Sequence, residues 1–246
     1  MRAFRADLHI HTCLSPCAEL EMSPRGIIRT ASEKEIDILG VCDHNSAENV
    51  PAMRDAAKPF RISVLAGMEV TSQEEVHVLG LFDSLDSALG LQEIVYAHLP
   101  GENDEDVFGL QPVVNEQGEI LRFNEKLLIG ATTLALEEVV SLIRSHGGLA
   151  IASHIDREGF SIIGQLGFIP EGLPLDALET SPAMPVETAR QKFGSRLPLT
   201  PASDAHRLEE IGRASTSFWL VEGTVAEIRK ALVRQDGRKV MNEEEA

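Results

Sequence analysis

Short apolar runs bounded by turn residues recur along the chain, and most are separated by stretches with helical spacing. This alternation is the feature that most constrains the fold. The runs cover residues 4–9, 36–42, 62–67, 76–82, 149–152, 175–178, 199–202 and 218–221, and each reads as a strand. Between them lies "SPRGIIRTASEKE", where Ser23 can cap a helix with Pro24 at its first position. Two more helical stretches, "EEVVSLIRSHGG" and "VAEIRKALVRQDG", are closed by Gly147 and Gly237. Strands alternating with helices predict a mainly parallel sheet, and 246 residues suit one α/β barrel domain spanning 1–246. Residues 100–130 break the alternation with "GENDED" and a hairpin pattern, "QPVVNEQGEILRF". They are expected to form an insertion over the barrel that shapes specificity. The acidic end, "NEEEA", is expected to fray.

In such a barrel the chemistry gathers at the C-terminal ends of the strands, and there the sequence concentrates histidine and carboxylate. His9 and His11 end the first run and share one face of an extended strand. Asp43 and His44 follow the second run, Glu69 the third, His154 the run "GGLAIAS", and Asp204 and His206 the run "LPLTPAS". Imidazole with carboxylate is the donor set of divalent metals. His77 stands at the start of its run, but "TSQEE" before it is too short for a parallel crossover. The two runs must form a hairpin with its midpoint at Gln73, making Glu69 and His77 near cross-strand partners.

Other observations narrow the setting. Lys and Arg number 22 against 39 Asp and Glu, a formal charge of −17. That balance opposes docking on a long nucleic acid and favours a small phosphorylated substrate. No apolar run approaches the length of a membrane span and no signal-like segment opens the chain, so a cytoplasmic location and no membrane partner are expected. The three cysteines, Cys13, Cys17 and Cys42, are expected to stay reduced. Oligomeric state is left open. His98 and His146 fall on helical stretches and read as structural, and Trp219, in an apolar run, reads as core.

The motifs "DLHIHT", "CDHN", "GMEV" with "HVLGLF", "GGLAIASH" and "SDAH", in this order, resemble those of the polymerase and histidinol phosphatase (PHP) family of metal-dependent phosphoesterases. The resemblance implies a distorted seven-stranded α/β barrel with one hairpin in its wall, holding two to three divalent ions (Mn, Zn or Fe). By position, one ion would be held by His9, His11, Glu69 and Asp204, a second by Glu69, His77 and His154, and a third by His44 and His206. Glu69, Asp204 and His206 are the residues expected to carry catalysis. Aligned back from Ser23 and Pro24, Glu19 falls where the family places a further ligand of the third ion. Pro16, Cys17 and Ala18 then form an insertion, with Cys17 the competing thiolate ligand. Asp43 and Asp7 are expected to orient ligand histidines. Arg157 and Arg207 follow metal motifs and are candidates to clamp substrate phosphate, against the alternative of surface ion pairs.

The implied activity is hydrolysis of a small phosphomonoester, or of a nucleotide or short oligonucleotide phosphoester, by a metal-activated water. An amidohydrolase is the nearest alternative, but its usual bridging lysine at a strand end has no counterpart among Lys34, Lys58, Lys126, Lys192, Lys230 and Lys239. A non-hydrolytic, metal-binding regulatory domain is the other alternative.

Overall fold

In the computed structural model, residues 1–193 and 197–241 are described; the acidic end expected to fray lies outside them. The chain runs β1 (Arg2–Ile10), α1 (Pro24–Glu33), β2 (Ile38–Val41), α2 (Val50–Ala57), β3 (Ser63–Thr71), β4 (His77–Phe82), α3 (Leu85–Ala97) and α4 (Glu105–Phe108). It continues through β5 (Pro112–Val114), β6 (Ile120–Phe123), α5 (Leu136–Ser145), β7 (Leu149–Ala152), α6 (Ile162–Leu166), β8 (Ala177–Leu178), α7 (Val186–Phe193), β9 (Thr216–Leu220), α8 (Val225–Leu232) and β10 (Lys239–Val240). As expected, Ser23 caps α1, its hydroxyl accepting from Gly26 N with Pro24 inside the first turn.

Among the described residues eight strands form one curled sheet in the order β10-β9-β1-β2-β3-β4-β7-β8, against the seven implied by resemblance. β1, β2 and β3 are parallel, β4 runs antiparallel to β3 and β7, and β8 is parallel to β7. Bridges from Leu178 to Leu199 and from Ile10 to Ala205 draw the β8 side of the sheet towards β1. The run expected as a strand at 199–202 makes the first of these bridges, with Leu178 N on Pro198 O and Thr200 N on Leu178 O, and continues only as the single bond from Ala202 N to Thr180 O, so it lies along β8 without becoming a regular strand. α4 and the two-stranded sheet of β5 and β6 come from the expected insertion, which packs Val113 and Leu128 on Leu14 and Leu99.

Alternation along the strands makes two apolar layers. Phe4, Ala6, Leu8, Ile38, Leu65, Leu79, Ile151 and Phe218 fill the inside of the curl. Leu39, Val41, Met68 and Val78 face outward onto Ile27, Met53, Val139 and Ile143 of the helices. In β9 the inward positions belong to Phe218 and Leu220, so Trp219, expected in the core, is only half-buried and faces the other way. His98 and His146 cap the ends of α3 and α5, with ring nitrogens on the carbonyls of Ile94 and Leu142. Cys13, Cys17 and Cys42 are free thiols. Among the described residues no helix is long and apolar enough to cross a membrane.

Candidate metal centre

The aim of His9 and His11 depends on a bulge. Ala6 pairs with Ile38 and Asp7 with Leu39, but the next pair is Ile10 with Val41, so Leu8 and His9 together oppose Gly40. The extra residue reverses the phase of β1: Leu8 belongs to the inner layer and Ile10 to the outer one. His9 and His11 therefore turn into the mouth of the curl. Glycine is required opposite, since a Cβ on Gly40 would stand 2.2 Å from the Leu8 carbonyl oxygen.

The β3–β4 hairpin pairs Thr71 with His77 and Glu69 with Leu79. Its midpoint is Glu74, one residue beyond the expected Gln73, so Glu69 and His77 are diagonal neighbours on one face. Their side chains still meet, with His77 Nδ1 3.1 Å from Glu69 Oε1. His154, after β7, and Asp204, after the 199–202 run, have φ of 27° and 49°. Such left-handed backbone at a site is strain that the surrounding structure sustains.

Glu69 is the hub. Its carboxylate oxygens lie 3.1 Å from His77 Nδ1, 3.2 Å from His44 Nδ1, 3.3 Å from His154 Nε2, 3.5 Å from His9 Nε2 and 3.6 Å from His11 Nε2. Asp204 Oδ1 is 3.0 Å from His11 Nε2 and 3.2 Å from His9 Nε2. Among the described residues, three sets bring ligand atoms within 4.8 Å of one another: His9, His11 and Asp204; His44, Glu69 and His77; and His11, His44 and His206. The sets differ from those implied by resemblance, because His44 joins Glu69 and His77 while His11 faces two sets.

The charges respond to this crowding. Burial raises the Glu69 and Asp204 carboxyls, but the histidines around them overcome it and hold both well below the usual range. Burial, then His206, lowers His11 to about 4, and burial, then His11, drives His44 well below its ordinary value. Glu69 Oε1, His44 Nδ1, His77 Nδ1 and His154 Nδ1 are buried without a hydrogen-bond partner. Unpaired buried polar atoms are costly. Several of them converging with a full carboxylate is the donor set that divalent cations satisfy, so the residues fit the expected metals.

Neighbouring groups fix the imidazoles. Asp43 accepts from Thr12 N at 2.8 Å and from Ser15 Oγ at 2.7 Å, and Ser15 Oγ lies 2.9 Å from His11 Nδ1. Asp43 thus orients His11 through Ser15. Asp7 touches no ligand ring. It accepts from Ser203 N and Gly212 N, at 3.0 and 2.8 Å, and so fastens the loop that carries Asp204 and His206; burial pushes it up to about 6. Sequence reasoning missed Glu179. Buried just after β8, it sets both oxygens 3.0–3.1 Å from His9 Nδ1, and Oε1 also accepts from His154 N at 3.1 Å. A carboxylate only accepts, so Nδ1 of His9 donates to Glu179 and Nε2 is the atom turned towards the site. Its one sequence signal was a carboxylate directly after an apolar run, the mark that identified Glu69.

At the rim, a recess of about 640 Å³ is lined by Cys17, Arg157, Ser181, Asp204, His206, Arg207 and Arg213, among others. Arg157 reaches Asp204 Oδ2 at 2.6 Å. Arg207 is paired with Glu19, Nε to Oε1 3.1 Å, and both are largely exposed. The structure therefore does not bring Glu19 to the third set. The inserted residues form a turn, Ala18 N bonding Ser15 O, and Glu19 N is tied to His206 O, which leaves its side chain on the rim. Cys17 is exposed at the rim yet crowded by the recess walls; burial, then Glu69 and Asp204, pushes its thiol up to about 12.

Comparison with known proteins identifies the family. The profile of the PHP domain matches residues 7–157, and that of a PHP-associated region matches 192–236. An uncharacterised protein of Methanocaldococcus jannaschii is 30% identical over 95 residues, covering 35% of this chain and 55% of the relative. A 5′-3′ exoribonuclease of Haemophilus influenzae is 28% identical over 78 residues, covering 30% and 27%. The chain thus matches about half of the first relative's length and less of the second's. The lesion-specific endonuclease Q of Pyrococcus furiosus shares the fold at TM-score 0.73 and 20% identity, over 97% of this chain and 58% of that one.

Endonuclease Q is also known in complex with a 27-mer duplex whose abasic lesion sits at the active site. That overturns the expectation that a chain of this kind excludes a long nucleic acid. Net charge sums the whole surface, whereas binding depends on the groups at one place, and the recess sets Arg157, Arg207 and Arg213 against Asp156, Asp204 and Glu210, a local balance far from the acidic excess of the whole chain. With its profile matched over more than half the chain, this protein belongs to the PHP domain family.

Proposed function

We propose that this chain hydrolyses phosphoester bonds of nucleotides or nucleic acids at the centre built around Glu69, with two to three divalent ions bound. The observation that carries the reading is the single carboxylate of Glu69 within 3.1–3.6 Å of five imidazoles. His9, His11 and Asp204 would hold one ion, and Glu69 with His44, His77 and His154 a second. His206 would join His11 and His44 at a third. Bound divalent ions supply positive charge for the phosphoryl oxygens and acidify a water to serve as nucleophile near neutral pH.

The chain's own residues do the positioning. Glu179 and the Ser15–Asp43 pair keep the Nε2 lone pairs of His9 and His11 aimed inward. Asp204 is well below the usual carboxylate range, so it is an anion at neutral pH and competes with the substrate phosphate for Arg157. A phosphate entering the recess can take the exposed side of that guanidinium, which suits bidentate binding. Arg207 stands on the same rim, held by Glu19, as a second anchor for an incoming phosphate. The relatives lend support as an exoribonuclease and a lesion-specific endonuclease. The amidohydrolase alternative lacks its lysine: Lys34 is engaged with the carbonyls of Glu209 and Ile211, and Lys126 with that of Tyr96.

The test is a panel of phosphomonoesters, phosphodiesters and oligonucleotides assayed with manganese-loaded protein, a chelated control and Glu69→Gln. Turnover should depend on metal and vanish in Glu69→Gln. Wild-type-like hydrolysis by Glu69→Gln with its metal content confirmed, or no phosphoester turnover by loaded wild type, overturns the proposal.

A further inference from the structure

Phe160 offers no ligand atom to the metal set, yet the fold places it with care. It lies in the loop that carries His154 and Arg157 on to α6. Its ring stacks on the His77 imidazole, with centroids 4.7 Å apart and planes 19° from parallel, and its carbonyl accepts from His77 N at 2.9 Å. Its backbone is left-handed, φ 57°, a conformation unfavourable for a bulky side chain. Despite that, the residue remains 45% exposed.

Exposure by itself does not set Phe160 apart, since Phe60, Phe108, Phe123 and Phe168 are 40–61% exposed as well; the left-handed backbone that lays its ring on His77 does. Shielding of His77 accounts for one face only. The stack covers that face, so the exposed area belongs to the other face and the ring edge. Nothing lies within 4 Å of where a Cβ on the preceding Gly159 would stand, so the outer side of the loop is open. On its other side the His77 ring reaches Glu69 at 3.1 Å. A rigid aromatic platform therefore stands one imidazole away from the carboxylate at the centre of the metal set, and in a nucleotide base and phosphate are likewise separated by a single sugar.

We infer that the open face of Phe160 is a stacking subsite for a nucleobase adjoining the phosphate held at the Glu69 centre. The inference rests on the nucleotide reading above and adds the element that recognises the base. Every base offers a π face, so the subsite selects for the presence of a base and tolerates its identity.

The experiment compares manganese-loaded wild type, Phe160→Leu and Phe160→Tyr on a trinucleotide and on the same trinucleotide with each base removed in turn, reading equilibrium binding and hydrolysis separately. In wild type, removal of one particular base should weaken binding by about 5- to 150-fold, the contribution of one base stacked on an aromatic side chain. Phe160→Tyr should keep that discrimination. Phe160→Leu, which still covers His77 but has no π face, should bind the intact trinucleotide more weakly and lose nothing further when that base is removed. Equal binding of all substrates by wild type, or undiminished discrimination in Phe160→Leu at normal metal content, overturns the subsite. Discrimination in binding with no hydrolysis of any substrate would keep the subsite and refute the phosphoesterase reading. Hydrolysis without discrimination would refute the subsite alone.

Discussion

Replacing Glu179 by glutamine tests how the fold prepares His9. The two oxygens lie 3.0 and 3.1 Å from His9 Nδ1, and both side chains are almost fully buried. At this separation and an effective dielectric of about 20 the gross attraction is about 5 kcal/mol, which the loss of hydration largely offsets. Breaking a buried pair costs about 3–5 kcal/mol. Glutamine keeps one acceptor for His9 but turns an amide N–H₂ towards groups that met a carboxylate, so the expected loss in the metal-free protein is about 2–3 kcal/mol. At about 2–4 °C per kcal/mol for a chain of this size, the melting temperature should fall by about 5–10 °C.

The loss should also depend on pH. Burial alone would lower His9, but Glu179, Asp204 and Glu69 raise it well above its ordinary value of 6.5. A histidine raised in the fold stabilises fully below its unfolded pKa, and that stabilisation disappears as pH rises through the folded value. The gap between chelated wild type and Glu179→Gln should therefore be widest near pH 6 and narrow on the alkaline side. Loss of the group that orients a ligand imidazole should also weaken metal binding about 10- to 100-fold. Thermal melts of chelated protein across pH, with manganese titrations, read both effects. A gap that does not change with pH, together with wild-type metal affinity, would refute this account of Glu179.

Gly40→Ala should cost about 3 kcal/mol and lower the bound metal, because the new Cβ meets the bulged Leu8 backbone and no side chain can yield there; an unchanged melt and metal content would show that the bulge does not need this glycine. Glu19→Ala should leave the metal content unchanged and alter stability by less than about 1 kcal/mol, as for an exposed ion pair, whereas loss of an ion measured by elemental analysis would return Glu19 to the ligands. Cys17, pushed up to about 12, should react with iodoacetamide in chelated protein at pH 8 more slowly than an ordinary thiol, by at least about tenfold after its higher thiolate nucleophilicity is allowed for. Metal loading, by neutralising Glu69 and Asp204, should speed that alkylation, and mass spectrometry reads both rates.

The alternation of apolar runs and helical spacing, the helix starting at Ser23 and Pro24, and the hairpin forced by "TSQEE" were all legible in the sequence. Each depends on residues a few positions apart, where backbone periodicity and turn length act directly. Six of the eight histidines could be assigned to one end of the sheet by the same local logic, since each stands beside a run that had to be a strand. Tertiary structure decided what depends on distant chain. The bulge at Leu8 and His9 exists only against Gly40, and it sets the faces that simple alternation would assign otherwise. Glu179 meets His9 across 170 residues, with no spacing rule to announce it. Trp219 was misread because apolar composition does not say which face looks inward, and the 199–202 run because it does not say how far a pairing with β8 extends. Net charge misjudged nucleic acid for the same reason, being a sum over the chain, whereas binding depends on which side chains the fold brings to one place.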